Sequence, residues 1–211
     1  MPARVHALLV VRPDGRVAAD IHLERTLTAL RAQSRPVDAL TIVLCDADAS
    51  VQAVAAASHA EAVISADRRT SFADALTLGS HRLDGDAVWV LSHDTIPDPD
   101  ALARLAGALE TAPSVAFAAP KLVRADEKDR IVSLGVSMTR YGRTVGLADG
   151  EHDQGQHDAG EDVLGTDVRG ILVRTDAWRR LGGIDRALAG ADEGLDLSLI
   201  HISEPTRLLS I

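Results

Sequence analysis

Cysteine is almost absent: Cys45 is the only one in 211 residues. No disulfide can close within the chain and no cysteine-built zinc site is available, which suits a reducing compartment. Cys45 itself sits in an apolar run and reads as an inert core residue. Long hydrophobic stretches are missing as well. No run approaches the roughly 18 apolar residues that cross a bilayer. The opening Met1-Pro2-Ala3-Arg4 leads straight into the short run Val5 to Val11, which has neither the length nor the cleavage pattern of a signal peptide. A soluble, cytoplasmic chain is the expectation. Basic charge is scarce: 22 Lys and Arg stand against 31 Asp and Glu, for a formal net charge of −9. Nucleic-acid binding relies on clustered Lys and Arg, so no nucleic-acid partner is expected. An acidic protein that handles an anionic ligand needs a metal or local backbone donors. No internal repeat is present, and the length suits a single α/β domain with a sizeable core.

What the chain does have is alternation. Val5 to Val11 and Leu40 to Cys45 are continuous apolar runs of strand length, and Leu23, Leu27 and Leu30 between them carry the i, i+4, i+7 spacing of a helix. A helix around Val51 to Ala57, a strand at Ala62 to Ser65 and a helix at Ser71 to Leu78 follow. The next strand ends at Leu91, a helix covers Asp98 to Glu110 with Asp98 as its N-cap, and Val115 to Ala119 is again a strand. Such alternation predicts a mostly parallel sheet with helices on both faces. Beyond Pro120, strands are expected at Ile131 to Val136 and Val168 to Val173. The polar run from Gly146 to Asp162 between them has no apolar period and reads as a loop or lid. Its pairs His152-Asp153 and His157-Asp158 fit a solvated loop better than a metal site. Thr175 or Asp176 should cap a short helix through Trp178 to Leu181, ended by Gly182-Gly183. Trp89, inside a strand, reads as core.

The richest segment is Trp89-Val-Leu-Ser-His-Asp94-Thr-Ile-Pro97-Asp-Pro99, where an apolar strand ends abruptly at an acid and a helix start follows. In open α/β sheets ligands bind beyond the carboxyl ends of strands, so Asp94 is placed as a ligand for a metal or nucleotide. Asp46 ends an earlier strand in the same way, although Asp46-Ala-Asp48 also suits a turn.

Four features then fall in order: Leu23-Glu-Arg-Thr-Leu-Thr-Ala-Leu-Arg-Ala-Gln-Ser34 ahead of the strand ending at Asp46; Ser92-His93-Asp94; Trp178-Arg-Arg-Leu-Gly-Gly-Ile-Asp185 after a Gly170-containing strand; and Asp192-Glu193-Gly-Leu-Asp196. Together, over residues 5 to 198, they resemble the family 2 glycosyltransferases of the GT-A fold, in a bacterial, actinobacterial-like form. The resemblance implies an α/β, Rossmann-like, mostly parallel sheet flanked by helices on both faces. It also implies transfer of a sugar, with inversion, from a nucleoside-diphosphate donor to a glycan, lipid-linked or cell-envelope acceptor. It assigns Arg12, Asp46, Ser92 and His93 to the nucleotide and Asp94 to a divalent cation, Mg²⁺ or Mn²⁺. Gly182, Gly183 and Asp185 fall on the acceptor side.

Asp192 and Glu193 are the candidates for the base that takes the acceptor proton. The family's Glu-Asp-x-Asp pattern has Gly194 at its usual base position here, so either the base has shifted to Asp192 or Glu193 or the motif is degenerate. Ser92 and His93 likewise stand where the family has acids. Two alternatives remain open from the residues: a nucleotide-sugar-binding domain with a decayed site, and a sugar-nucleotide nucleotidyltransferase. The latter wants a Gly-rich basic loop that Arg12-Pro-Asp-Gly-Arg16 does not supply. The final residues, 199–211, lack the Ala, Gly, Asp and Val that dominate the preceding chain and resemble translated adapter sequence. The expectation is a glycosyltransferase domain over 1–198, truncated there. Membrane association at the inner face would come through the missing C-terminal region.

Overall fold

The computed structural model describes residues 2–13, 18–141, 143–158, 163, 165–182 and 207–210. Its elements are β1 (Val5–Val11), α1 (Ala19–Arg31), β2 (Ala39–Cys45), α2 (Ala49–Ala56), β3 (Ala62–Ala66), α3 (Phe72–Ser80), β4 (Ala87–Ser92), α4 (Ala101–Thr111) and β5 (Val115–Ala119). The short strands β6 (Leu122–Val123), β7 (Ile131–Ser133), β8 (Val136–Met138), β9 (Thr144–Gly146) and β10 (Leu172–Arg174) follow, then α5 (Thr175–Leu181) and β11 (Arg207–Ser210).

A seven-stranded sheet in the order β11-β5-β10-β4-β1-β2-β3 forms the centre. β1 pairs in parallel with both β2 and β4, β2 pairs in parallel with β3, and β10 runs antiparallel between β4 and β5. The apolar runs are continuous because both faces are covered. Along β1 the side chains alternate: Val5, Leu9 and Val11 pack with α1, α2 and α4, whereas Leu8 and Val10 join α3, α5 and the 163–173 segment. Leu23, Leu27 and Leu30 of α1 are buried as the spacing requires, and each fully buried leucine stabilises by about 1.5–3 kcal/mol. Trp89 and Trp178 are both core residues, their indole N–H groups donating to the Gly170 carbonyl and to Ser80 Oγ.

Several local expectations are corrected. The α4 N-cap residue is Asp100, with no side-chain cap, and not Asp98. The α5 N-cap residue is Arg174 rather than Thr175 or Asp176, and its guanidinium reaches away to the carbonyls of Leu109, Ala112 and Val115. A cation there suits the negative end of α4. The expected strand from Ile131 to Val136 is divided into β7 and β8, with Gly135 at φ +124° between them. The one from Val168 to Val173 shortens to β10 because Gly170 adopts φ +88°, which breaks regular pairing. Residues 207–210, at the end of the atypical tail, form the edge strand beside β5.

Candidate functional site at the carboxyl edge of the sheet

β1, β2, β3 and β4 are parallel, so their carboxyl ends share one edge, and the amino end of antiparallel β10 lies at the same edge. Arg12 follows β1, Asp46 follows β2, Arg68 lies just beyond β3 and Asp94 follows β4. From β4 to β2 the separation is two strand spacings, about 10 Å at the backbone.

Asp94 is presented by a turn fixed from three sides. The His93 N–H donates to the Val10 carbonyl at 3.0 Å, Thr95 N–H to Ser92 O at 3.0 Å, and buried Thr26 Oγ1 of α1 donates to the His93 carbonyl at 2.7 Å. Asp94 is exposed at the tip of this turn, while Ser92 and His93 are buried beneath it. The His93 ring meets His22 of α1 edge-on, with centroids 6.2 Å apart. The structure thus brings Ser92 and His93 to the site as support for the Asp94 turn. Their side chains point into the protein rather than onto its rim.

The two acids of Asp46-Ala-Asp48 have different tasks. Asp48 is the N-cap of α2, accepting from Val51 N–H at 2.9 Å and from Ser50 Oγ at 2.7 Å. Those hydrogen bonds, Val51 first, hold its carboxyl below the usual range. Asp46 is left exposed in a left-handed backbone conformation, φ 54°, with Arg68 Nε 3.7 Å from its carboxylate. Exposed Arg12 stands near the end of β2: burial pushes the Cys45 thiol up, and the charge of Arg12 works against that shift.

Two residues that the sequence did not single out complete the edge. Arg169 forms a bidentate pair with Asp167, at 2.5 Å from Nη2 and 2.9 Å from Nε, and Asp167 also accepts the Arg169 backbone N–H at 2.9 Å. The hydrogen bonds it donates to Asp167 hold the guanidinium above its ordinary pKa despite partial burial, and the charge of Asp94 adds to the effect. The signal available in sequence was an Asp-x-Arg pattern directly before the strand-breaking Gly170. From β10 to β3 the rim therefore carries Arg169, Asp94, Arg12, Asp46 and Arg68, alternating in sign.

Within the run from Gly146 to Asp162, expected as a loop or lid, residues 151–158 are loop held by ion pairs. Lys121 pairs with Asp153 at 2.7 Å and Asp158 at 2.6 Å, whereas His152 faces Asp129 and His157 faces Glu151. Among the described residues no three His, Cys, Asp or Glu side chains gather into a metal-binding group. Gly182 ends α5 at φ 72°, as a left-handed C-cap should. Gly183, Asp185, Asp192 and Glu193 lie outside the described residues.

The architecture is an open, mostly parallel α/β sheet with charged residues along its carboxyl edge, where ligands of such sheets bind. The family described as glycosyltransferase like family 2 matches residues 17–202, and the chain belongs to that family. A search of curated proteins found no match at the sequence level. Among solved structures the chain is similar to a mannosyltransferase of Pyrobaculum calidifontis, PcManGT, in complex with GDP-Man and Mn²⁺, with TM-score 0.64 and 15% identity. That match covers 100% of this chain and 55% of that one. It is also similar to TarS of S. aureus, with TM-score 0.63 and 13% identity over 99% of this chain and 35% of the other. The chain thus spans about half, and about a third, of these relatives' lengths. At such identities the likeness establishes the fold, which is GT-A.

Proposed function

We propose that the chain is the donor-binding and catalytic part of an inverting glycosyltransferase, moving a sugar from a nucleoside diphosphate to a glycan, lipid-linked or cell-envelope acceptor. The observation that carries this reading is the row of Arg12, Asp46 and Asp94 at the ends of adjacent strands within a family 2 fold. Asp46 is exposed where the base of the nucleotide would lie, and Asp94 stands about two strand spacings away on the diphosphate side.

Asp94 offers one hard, exposed carboxylate, which fits a divalent cation when diphosphate oxygens complete the coordination shell. Such an ion, when bound, neutralises charge on the departing diphosphate; the mannosyltransferase named above has Mn²⁺ and GDP-Man together. Asp192 and Glu193 are the acids proposed to take the acceptor proton. In that step the acceptor oxygen bonds to the sugar's anomeric carbon and the bond to the diphosphate oxygen breaks. The proton passes to the carboxylate and the nucleoside diphosphate leaves. Gly182 ends the helix leading to the acceptor side, with Gly183 and Asp185 next in the chain. The proposed setting is the cytoplasm, at the inner face of the membrane.

Incubation with GDP-mannose or UDP-glucose and Mn²⁺ tests the reading. Release of free nucleoside diphosphate is expected from the wild-type chain, with loss in Asp94→Ala and in the Asp192→Asn, Glu193→Gln double variant. Ser92 and His93, buried and not acidic, leave Asp94 as the one carboxylate of Ser92-His93-Asp94, which favours a second reading in which the domain binds nucleotide sugars without turnover. Donor binding without any release of diphosphate would establish that reading instead.

A further inference from the structure

Asp167 and Arg169 have no part in the reading above, yet they are built into the same edge. Gly170 N–H donates to Val90 O at 2.7 Å, Val90 N–H donates to Ile171 O at 2.9 Å, and the Trp89 indole donates to Gly170 O at 3.0 Å. These bonds lock the chain before β10 onto β4. Gly170 is bonded to Val90, two residues before the end of β4, so Arg169, the residue ahead of it, lies at the carboxyl end of β4, the end that carries the Asp94 turn. An added Cβ on Gly170 would meet Pro120 Cγ at 2.8 Å, so this backbone is confined as well as hydrogen-bonded.

We propose that Arg169, held by Asp167, is a fixed cation of the donor site that binds the diphosphate of a nucleoside-diphosphate donor from the β10 side, opposite Asp94. The inference rests on the donor-site reading and deepens it. A guanidinium has five N–H donors in a planar fork. Asp167 takes one on Nε and one on Nη2, leaving three directed away from it. The Arg169 side chain is 41% exposed while Asp167 is 23% exposed, so the carboxylate is the anchor and the guanidinium is the open partner. Anchoring removes rotamer freedom before the ligand arrives, and planar bidentate donors match phosphate oxygens.

The electrostatics point the same way. Asp94 is close enough for its charge to help raise the Arg169 pKa, and the hydrogen bonds of the guanidinium go to Asp167 instead. In an acidic chain whose turn supplies one carboxylate rather than several, a permanent positive group on the opposite side keeps part of the diphosphate affinity independent of a divalent ion. The ligand class is any nucleoside diphosphate, with the contact made at phosphate and not at the base.

Calorimetric titration of the full chain with UDP, GDP, UMP and GMP, in Mn²⁺ and separately in EDTA, tests this. The wild-type chain is expected to bind at least one diphosphate in both media, more weakly in EDTA. Arg169→Gln should lower diphosphate affinity tenfold or more in EDTA while changing monophosphate affinity much less, and Arg169→Lys should recover part of the loss. Thermal melts of both variants check the fold. Arg169→Gln binding diphosphates like wild type would overturn the inference, as would equal losses for mono- and diphosphates, or wild-type binding that vanishes in EDTA. A wild-type chain that binds no nucleotide even with Mn²⁺ would instead overturn the donor-site reading itself.

Discussion

Gln33 Oε1, at the end of the first helix, accepts the Leu102 backbone N–H at 3.0 Å, 69 residues away. Its Nε2 donates to the carbonyls of Ala29 at 3.1 Å and Asp98 at 2.8 Å, while the neighbouring Ser34 N–H donates to Pro99 O at 2.8 Å. One buried amide therefore caps α4 from outside and fastens the loop that follows Asp94. Removing it leaves a buried donor unsatisfied. Gln33→Ala should cost about 1–3 kcal/mol, read as a lower urea midpoint, and should also weaken nucleotide binding because the Asp94 loop loses its anchor.

Asp46 and Asp48 should separate cleanly by experiment. Asp48→Ala removes the α2 cap and is expected to lower Tm by about 2–4 °C, leaving nucleotide affinity intact. Asp46→Asn keeps a residue suited to the left-handed backbone at φ 54° and so preserves Tm. It should reduce nucleotide affinity several-fold in the same titrations.

Gly170→Ala tests the confinement beside β4. The substitution places a side chain at φ +88° against Pro120. A loss of about 1–3 kcal/mol in chemical denaturation is expected.

The Lys121 pairs with Asp153 and Asp158 should hold the 151–158 segment across the neutral range and release it at the acid end. Burial opposes the charge on Lys121, but the hydrogen bonds it donates to the two acids outweigh that and raise its pKa. The bond from Lys121 holds Asp153 below its ordinary value. A carboxyl depressed in the folded state stabilises above its unfolded pKa, and that stabilisation is lost as pH falls through the folded value. Hydrogen exchange of residues 151–158, corrected at each pH for the intrinsic chemical rate, should therefore speed up only below about pH 4. In Lys121→Met it should be faster at every pH.

Much of the architecture was legible because burial on both faces writes itself into continuous apolar runs: Val5 to Val11 and the run ending at Cys45 are strands, and Leu23, Leu27 and Leu30 face the core. Asp46 and Asp94 were legible because an acid that abruptly ends such a run has to lie at the sheet edge. Asp98 was misread as a cap because the group that caps α4 comes from Gln33, a contact with no local signature. Arg169 went unnoticed for a similar reason: its place at the carboxyl end of β4 depends on how β10 pairs with that strand, and Arg169 lies 75 residues after Asp94 in the chain. The length of β10 was overestimated because apolar character continues through residues whose backbone, at Gly170, cannot stay extended.

The insertion of β10 between β4 and β5 also bears on how the chain reaches this shape. β5 is complete at residue 119, yet among the described residues its strand pairing towards the β1–β4 half of the sheet runs through Leu172 and Val173 of β10. A chain emerging from the ribosome therefore carries β5 as an unsatisfied apolar edge until some fifty more residues have been made. Such an edge is open to wrong pairing. Insertion of the same short segment that leads from Arg169 into the sheet therefore both joins β5 to the β1–β4 half and completes the charged rim.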